Sequence, residues 1–181
     1  MRELLNRGFS RSAVSRRVGT GELTPVRGAR GIYLIRGRPA SHHQDLVVIS
    51  LYDPAVTFCL LTALQMHSLR APAPDIWISI PNRAREPSIK HLPIRVIRPT
   101  ARPKEADVES KSIDGVPLRV TCPAKTVADC FEYRTVVGVD VAIAALREAR
   151  RLRLASMDDI WRHAEANSVS SIMLPYMEAI G

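Results

Sequence analysis

No stretch of the sequence approaches the roughly 20 consecutive apolar residues that a helix needs to cross a bilayer. Met1 is followed within a few positions by charged and polar residues rather than by the apolar block of a secretory signal. A membrane role and an exported scaffold are therefore not expected, and the expected location is the cytoplasm. Cysteine is scarce. Cys59, Cys122 and Cys130 are odd in number, widely spaced and set in apolar surroundings, so buried free thiols are expected rather than a disulfide framework or a metal-binding spacing. Histidine adds no metal site either. His42 and His43 stand together at a helix start with no third ligand nearby, which fits capping or solvent contact, and His67 reads as a contact at a helix end. No metal and no other cofactor is expected. The sequence also lacks a Gly-x-Ser-x-Gly elbow, internal repeats, heptads and low-complexity segments.

Acidic residues are scarce at the front of the chain. The 181 residues carry a net charge of +8, and residues 1–38 hold nine arginines against two glutamates. The remainder is almost neutral, with 17 basic and 16 acidic residues. A positive field confined to one short stretch is the distribution expected when only that stretch faces a polyanion. A membrane surface fits less well, because the apolar face available there is too small. With 46% apolar residues the chain can build a core, and its length suits one ordinary domain or a small domain joined to a larger one.

The basic stretch, GFSRSAVSRRVGTGELTPVRGARGIYL, has an internal order. Gly8 supplies a helix stop, Ser10 caps the next helix, and Gly19 and Gly21 end it. Leu23 to Arg27 and Ile32 to Ile35 then form a hairpin bracketed by Gly28 and Gly31. Helix, turn, second helix and hairpin is the order of a winged helix-turn-helix, whose second helix enters a DNA major groove. Ala13, Val14 and Val18, flanked by Phe9 and Leu23, make the apolar side of that helix, and Ser12, Ser15, Arg16 and Gly19 recur at helical spacing on the other. The expected DNA-binding set is Ser10, Arg11, Ser12, Ser15, Arg16 and Arg17, joined by Arg27 and Arg30 on the wing. Serine and arginine donate hydrogen bonds to phosphate oxygens, and arginine can also grip guanine through two bonds. A solvated basic helix is the plainer alternative. The module is expected to be truncated, since residues 1–7 provide barely two turns, with Leu4 and Leu5 inward, where a further helix normally packs. About 38 residues is near the size at which a lone domain buries too little surface. Either the true start lies upstream, or the larger domain or a second subunit, as in a homodimer, covers the gap, and weak or conditional DNA binding is expected.

Arg36 to Ser41 reads as a linker, dividing the chain into a module over 1–38 and an α+β domain over 39–181. In the second part, His42–Leu51 and Ala55–Leu69 read as helices, the latter apolar nearly all round and so buried. Asp75–Pro81, Leu92–Pro99, Val108–Ile113 and Val116–Thr121 read as four strands, the last two paired across the Asp114-Gly115 turn. A mostly antiparallel sheet flanked by helices is expected. Thr121 is expected to cap a helix over Ala124–Arg134 with Pro123 in its first turn. Ala142, Ala145, Leu146 and Ala149 mark the next helix, Ser156 caps one over Met157–Glu165, and Ser170 caps the last.

Two stretches resemble one family. The basic stretch, ending in Gly31-Ile32-Tyr33, is similar to the N-terminal winged helix of AbiEi-type antitoxins of abortive-infection (type IV) toxin-antitoxin systems. VTCPAKTVADCFEYR resembles the signature after the central sheet of their C-terminal domain, through Pro123, Ala124, Lys125, Thr126 and Asp129. The two occur in the same order, about ninety residues apart. The resemblance implies a non-enzymatic repressor that binds inverted repeats of double-stranded operator DNA and counteracts a cognate toxin of the nucleotidyltransferase class through its C-terminal domain. The plainer reading of Lys125 and Asp129 is a surface pair, four apart on one helix face, contributing a few tenths of a kcal/mol. Two other functions compete. Glu109-Ser110-Lys111 on a strand, with Asp75 opening another, has the residue types of a metal-dependent nuclease. A regulator whose C-terminal part senses a small molecule is the other.

Overall fold

A computed structural model describes residues 10–37, 43–69, 71, 74–89, 92–99 and 103–180. The expected inward residues Leu4 and Leu5, together with Gly8, Phe9 and His42, lie outside the described residues. Among the described residues the fold is α+β, with eight α-helices, a five-stranded mixed sheet and a separate two-stranded antiparallel hairpin.

Helix α1 (Arg11–Gly19) starts where its cap predicts, because the Ser10 hydroxyl accepts a hydrogen bond from the Ala13 amide at 3.1 Å. Strands β1 (Leu23–Pro25) and β2 (Tyr33–Ile35) follow, pairing Leu23 with Ile35 and Pro25 with Tyr33. Val14 and Leu23 are the buried apolar residues of this unit's own helix and strands. Ala29, in the loop between the strands, is 1% exposed and belongs to the core of the larger sheet. Val26, Ile32 and Leu34 pack against that same core.

Helix α2 (Gln44–Tyr52) buries Leu46, Val47, Val48, Ile49 and Ser50. The region expected as one helix, Ala55–Leu69, divides. Thr57–Phe58 form strand β3, and α3 runs only over Leu60–Met66, where Leu60 through Leu64 are buried. Leu60 sits at φ +46, and this left-handed residue turns the chain sharply from strand to helix. Strands β4 (Ile76–Ser79), β5 (Ile94–Ile97), β6 (Val108–Ile113) and β7 (Val116–Thr121) complete the sheet in the order β5-β4-β3-β7-β6.

The sheet is mixed, which corrects the mostly antiparallel expectation: β3 is antiparallel to β4 but parallel to β7, and β4 is parallel to β5. The extra strand accounts for one of the two parallel pairings, that of β3 with β7, whereas β4 and β5 are both expected strands that lie parallel to each other. β3 inserts between β4 and β7, so the expected β6-β7 hairpin joins the sheet alongside a parallel neighbour. That hairpin forms as predicted, with Asp114 at φ +53 and Gly115 at φ +78 in its turn.

Helix α4 (Pro123–Glu132) is central to the helical part, packing on α3, on α6 (Val139–Arg151) and on α7 (Met157–Ala166). Phe131 on α4 is fully buried, which stabilises the fold by about 1.5–3 kcal/mol relative to an exposed ring. A short α5 (Arg134–Val137) and the last helix, α8 (Ser170–Ile180), complete the chain. Two caps differ from expectation. Cys122, not Thr121, occupies the cap of α4, because Thr121 still belongs to β7 and its hydroxyl meets that of Thr126 at 2.7 Å. Ser170 lies inside α8, while Val169 accepts the first amides through its carbonyl. Ser156 caps α7 as expected, accepting from the Asp159 amide at 3.0 Å. No helix among the described residues is long and apolar enough to cross a membrane.

Candidate nucleic-acid interface and the buried signature cluster

The helical period decides which side of α1 faces water. Val14 is buried and Ala13 and Val18 are half-buried, so the positions between them point outward. Arg11, Ser12, Ser15 and Arg16 are all exposed, and they recur three and four residues apart on one strip. Ser10 opens that strip. Its hydroxyl both caps the helix and lies 2.9 Å from the Ser12 hydroxyl. Arg17 is exposed at the flank and is drawn toward Glu22, whose carboxylate lies 3.8 Å from the guanidinium. Thr20 closes the helix end, its hydroxyl 3.1 Å from both the Arg17 carbonyl and the Glu22 carboxylate.

The loop of the hairpin carries the other two expected residues. Gly28 (φ +81) and Gly31 (φ +86) bend the chain so that Arg27 and Arg30 are exposed on either side of buried Ala29. The loop is thus anchored by its middle residue and cationic at its flanks. Arg36 is exposed just beyond β2, and a Cβ added to Gly21 would lie 3.5 Å from its guanidinium, so this charge sits by the end of α1.

The α4 signature is a different kind of place. Pro123 occupies the first helical turn and is buried, as are Ala124, Thr126 and Asp129. Thr126 bonds backward: its hydroxyl lies 2.8 Å from the Cys122 carbonyl and 3.0 Å from the Thr121 carbonyl, tying the helix start to the end of β7. Lys125 donates to the Asp129 carboxylate and lies 3.3 Å from the Asn167 side-chain oxygen. Asn167, the residue that closes α7, donates through its own amide to Asp129 at 2.8 Å. The side chains of Lys125 and Asp129 are only 13% and 10% exposed, so the expected surface pair is a largely buried one. The helix face that carries it is turned toward α7, which sequence spacing alone could not indicate.

Burial pushes the Asp129 carboxyl above the ordinary carboxylate range, and the Lys125 ammonium and Asn167 amide oppose that rise. The effect spreads to neighbours. Glu132 is raised by its own burial and by Asp129, and Tyr133 is pushed up to about 12 by burial together with Glu132 and Asp129. Burial also raises the Cys59, Cys122 and Cys130 thiols, which argues against any of them as a ready nucleophile. All three cysteines are free; Cys59 and Cys130 are buried and Cys122 is half-buried, 4.0 Å from His163.

The residues of the nuclease alternative do not converge. Glu109 and Lys111 share a face of β6, but Lys111 donates to the Met66 carbonyl at 2.5 Å and lies 3.1 Å from the His67 ring. Asp75 precedes β4, which is separated from β6 by both β3 and β7, and binds Arg95 at 2.5 Å. Among the described residues no three His, Cys, Asp or Glu side chains gather where they could hold a metal ion. His67 is buried at the end of α3, its Nε2 2.7 Å from the Thr121 carbonyl, and burial followed by the Lys111 charge lowers its pKa. His43 is exposed at the start of α2 and makes no side-chain cap there.

Asn167, His163 and Cys122 are the members of the signature cluster that sequence reasoning missed. Asn167 left one faint signal in the sequence, an asparagine at the end of a helical stretch, and the structure puts the left-handed residue that ends α7 next to it, at Ser168 (φ +57). In comparisons with known proteins, no family model and no curated protein matches the chain.

Proposed function

We propose that the chain is a DNA-binding regulator that uses α1 as its recognition helix and the β1–β2 hairpin as a wing. The observation carrying this reading is that Arg11, Ser12, Ser15 and Arg16 are exposed together on one strip of α1, with Ser10 at its head. Duplex DNA is the polyanion whose groove admits a single helix of this width, and arginine and serine are suited to its phosphates and base edges. Arg27 and Arg30 extend the cationic surface onto the hairpin. The resemblance to AbiEi-type antitoxins gives the reading its biological setting: a non-enzymatic autorepressor of a toxin-antitoxin operon, acting in the cytoplasm, whose larger part counteracts a nucleotidyltransferase-type toxin. Inverted-repeat operators would be bound by two copies of the chain, one on each half-site.

The DNA half is tested by titrating the protein with a labelled duplex from upstream of its own gene over a range of salt. Arg11→Ala and Arg16→Ala should each weaken binding and lower the salt slope by about one unit per lost phosphate contact. Two variants that bind like the parent at every salt concentration would end the assignment of α1. The antitoxin half is tested separately, by co-expressing the full chain with the toxin encoded beside it. Restored growth is expected, including with Arg16→Ala, because antitoxicity is assigned to the other part of the chain. Growth arrest that persists in the presence of the folded parent protein counts against it.

A further inference from the structure

The strand register places three polar side chains in a row across the middle of the sheet. Ser79 on β4 is directly opposite Thr57 on β3, and Thr57 is directly opposite Arg119 on β7. Directly opposed residues point to the same face, and neighbouring strands lie about 4.8 Å apart, so the row spans about 10 Å. This is the face away from Phe58, Ile78, Leu118 and Val120, which enter the core beneath α2. Thr57 and Ser79 are only 6% and 7% exposed. Neither hydroxyl meets a hydrogen-bond partner among the described residues, and neither oxygen is wholly shut off from solvent, since the buried side-chain polar atom without a partner there is Trp77 Nε1. Both line a cleft of about 140 Å³ whose other walls include Pro81, Asn82, Pro99, Pro103 and Arg119.

A hydroxyl that opens into a cleft and has no protein partner is available to a ligand as donor or acceptor. Two of them side by side, next to a guanidinium and opening into one cleft, form a set of donors aimed at a common acceptor. The charge of that acceptor is indicated by what Arg119 already holds. Its two terminal nitrogens grip the Glu105 carboxylate at 2.9 and 3.0 Å, the two-bond geometry of an oxyanion. Glu105 sits on a one-turn 3-10 helix (Glu105–Asp107) and its side chain is 81% exposed, so the pair is a weak, displaceable one.

We propose that this cleft binds a small molecule bearing a phosphate or carboxylate group. The oxyanion is received by the Thr57 and Ser79 hydroxyls and by Arg119, and Glu105 competes for the guanidinium. The proline and Ile80 walls suit a short carbon skeleton, and the volume is below that of pockets that hold drug-sized ligands. The site uses none of the residues assigned to DNA, so it stands or falls independently of that reading.

The test is calorimetric titration of the full chain with inorganic phosphate and, separately, with succinate, at constant ionic strength against chloride. Saturable binding of either anion supports the site, and the one preferred identifies the group it takes. Thr57→Val and Ser79→Ala should each lower affinity about tenfold, the loss of one hydrogen bond to a charged group. Glu105→Gln should raise affinity about two- to fivefold by removing an exposed competitor. Each variant's cooperative unfolding in chloride shows that it is folded. Binding through the cationic α1 would survive all three substitutions, so an affinity unchanged in all of them overturns the proposal, as does the absence of saturable binding by both anions.

Discussion

An exposed lysine four residues ahead of an aspartate adds only a few tenths of a kcal/mol to a helix. Lys125 and Asp129 have that spacing but are mostly buried and share Asn167 as a third partner, so a different rule applies. Removing one member of a buried pair leaves the other without compensation, at a cost of about 3–5 kcal/mol. Asp129 already has a raised pKa from burial, held down by Lys125. Lys125→Met therefore frees it to rise further, and the carboxyl escapes the penalty by taking up a proton in the native state. The unfolded chain, with an aspartate pKa near 3.9, binds no such proton until the pH is much lower. Since the native state then holds more protons than the unfolded one, stability rises as the pH falls. Relative to the parent, Lys125→Met should lose about 3 kcal/mol at pH 7, within the range for a broken buried pair, and distinctly less at pH 5. Denaturant unfolding of both proteins at the two pH values measures this. An equal loss at both would mean that the Asp129 carboxylate is not desolvated.

Elements whose determinants are local were legible in the sequence. Ser10 and Ser156 cap their helices through bonds to amides three residues on, and Asp114-Gly115 supplies the two left-handed residues of its hairpin turn. Exposure of the α1 strip followed equally well, because it depends only on the helical period and on Val14 facing inward. Strand β3 was not legible. Thr57 and Phe58 open an apolar run that reads on into α3, and a short apolar run has no periodicity to separate strand from helix. What makes the two residues a strand is the pairing supplied by β4 on one side and β7 on the other. The parallel β3–β7 pairing and the Ser79, Thr57, Arg119 row both follow from that insertion, so they were hidden with it, while the parallel pairing of β4 with β5 is a separate departure between two strands that were expected. In the same way Lys125 and Asp129 could be seen to share a helix face, while Asn167, arriving from the end of α7, could not.

At the scale of the whole molecule, charge and packing assign the front of the chain two different relations to the rest. Arginine is concentrated on residues 1–38, yet the hairpin there is seated on the core that includes Leu46, Ile49, Phe58 and Val120 through Ala29, with Val26, Ile32 and Leu34 around it. Among the described residues the unit's own helix and strands bury Val14 and Leu23, and the seat on the larger core adds Ala29 to what holds it in place. The seat also fixes where α1 points, since β1 packs against α1 and pairs with β2. Ala29→Asp places a carboxylate where a methyl group is 1% exposed, and an unpaired buried charge costs several kcal/mol. The loop should leave its seat rather than accept that cost. Hydrogen exchange read by mass spectrometry should then show lost protection over β1 and β2, with protection over β6 and β7 retained, because opening is local to the unit that lost its contact. On the proposed DNA-binding reading, affinity for the duplex should fall further than in Arg16→Ala, since all of the strip loses its fixed position while one substitution would remove a single contact. A hairpin that remains as protected as in the parent would mean that Ala29 does not hold it, and that α1 is oriented by something other than the core beneath α2.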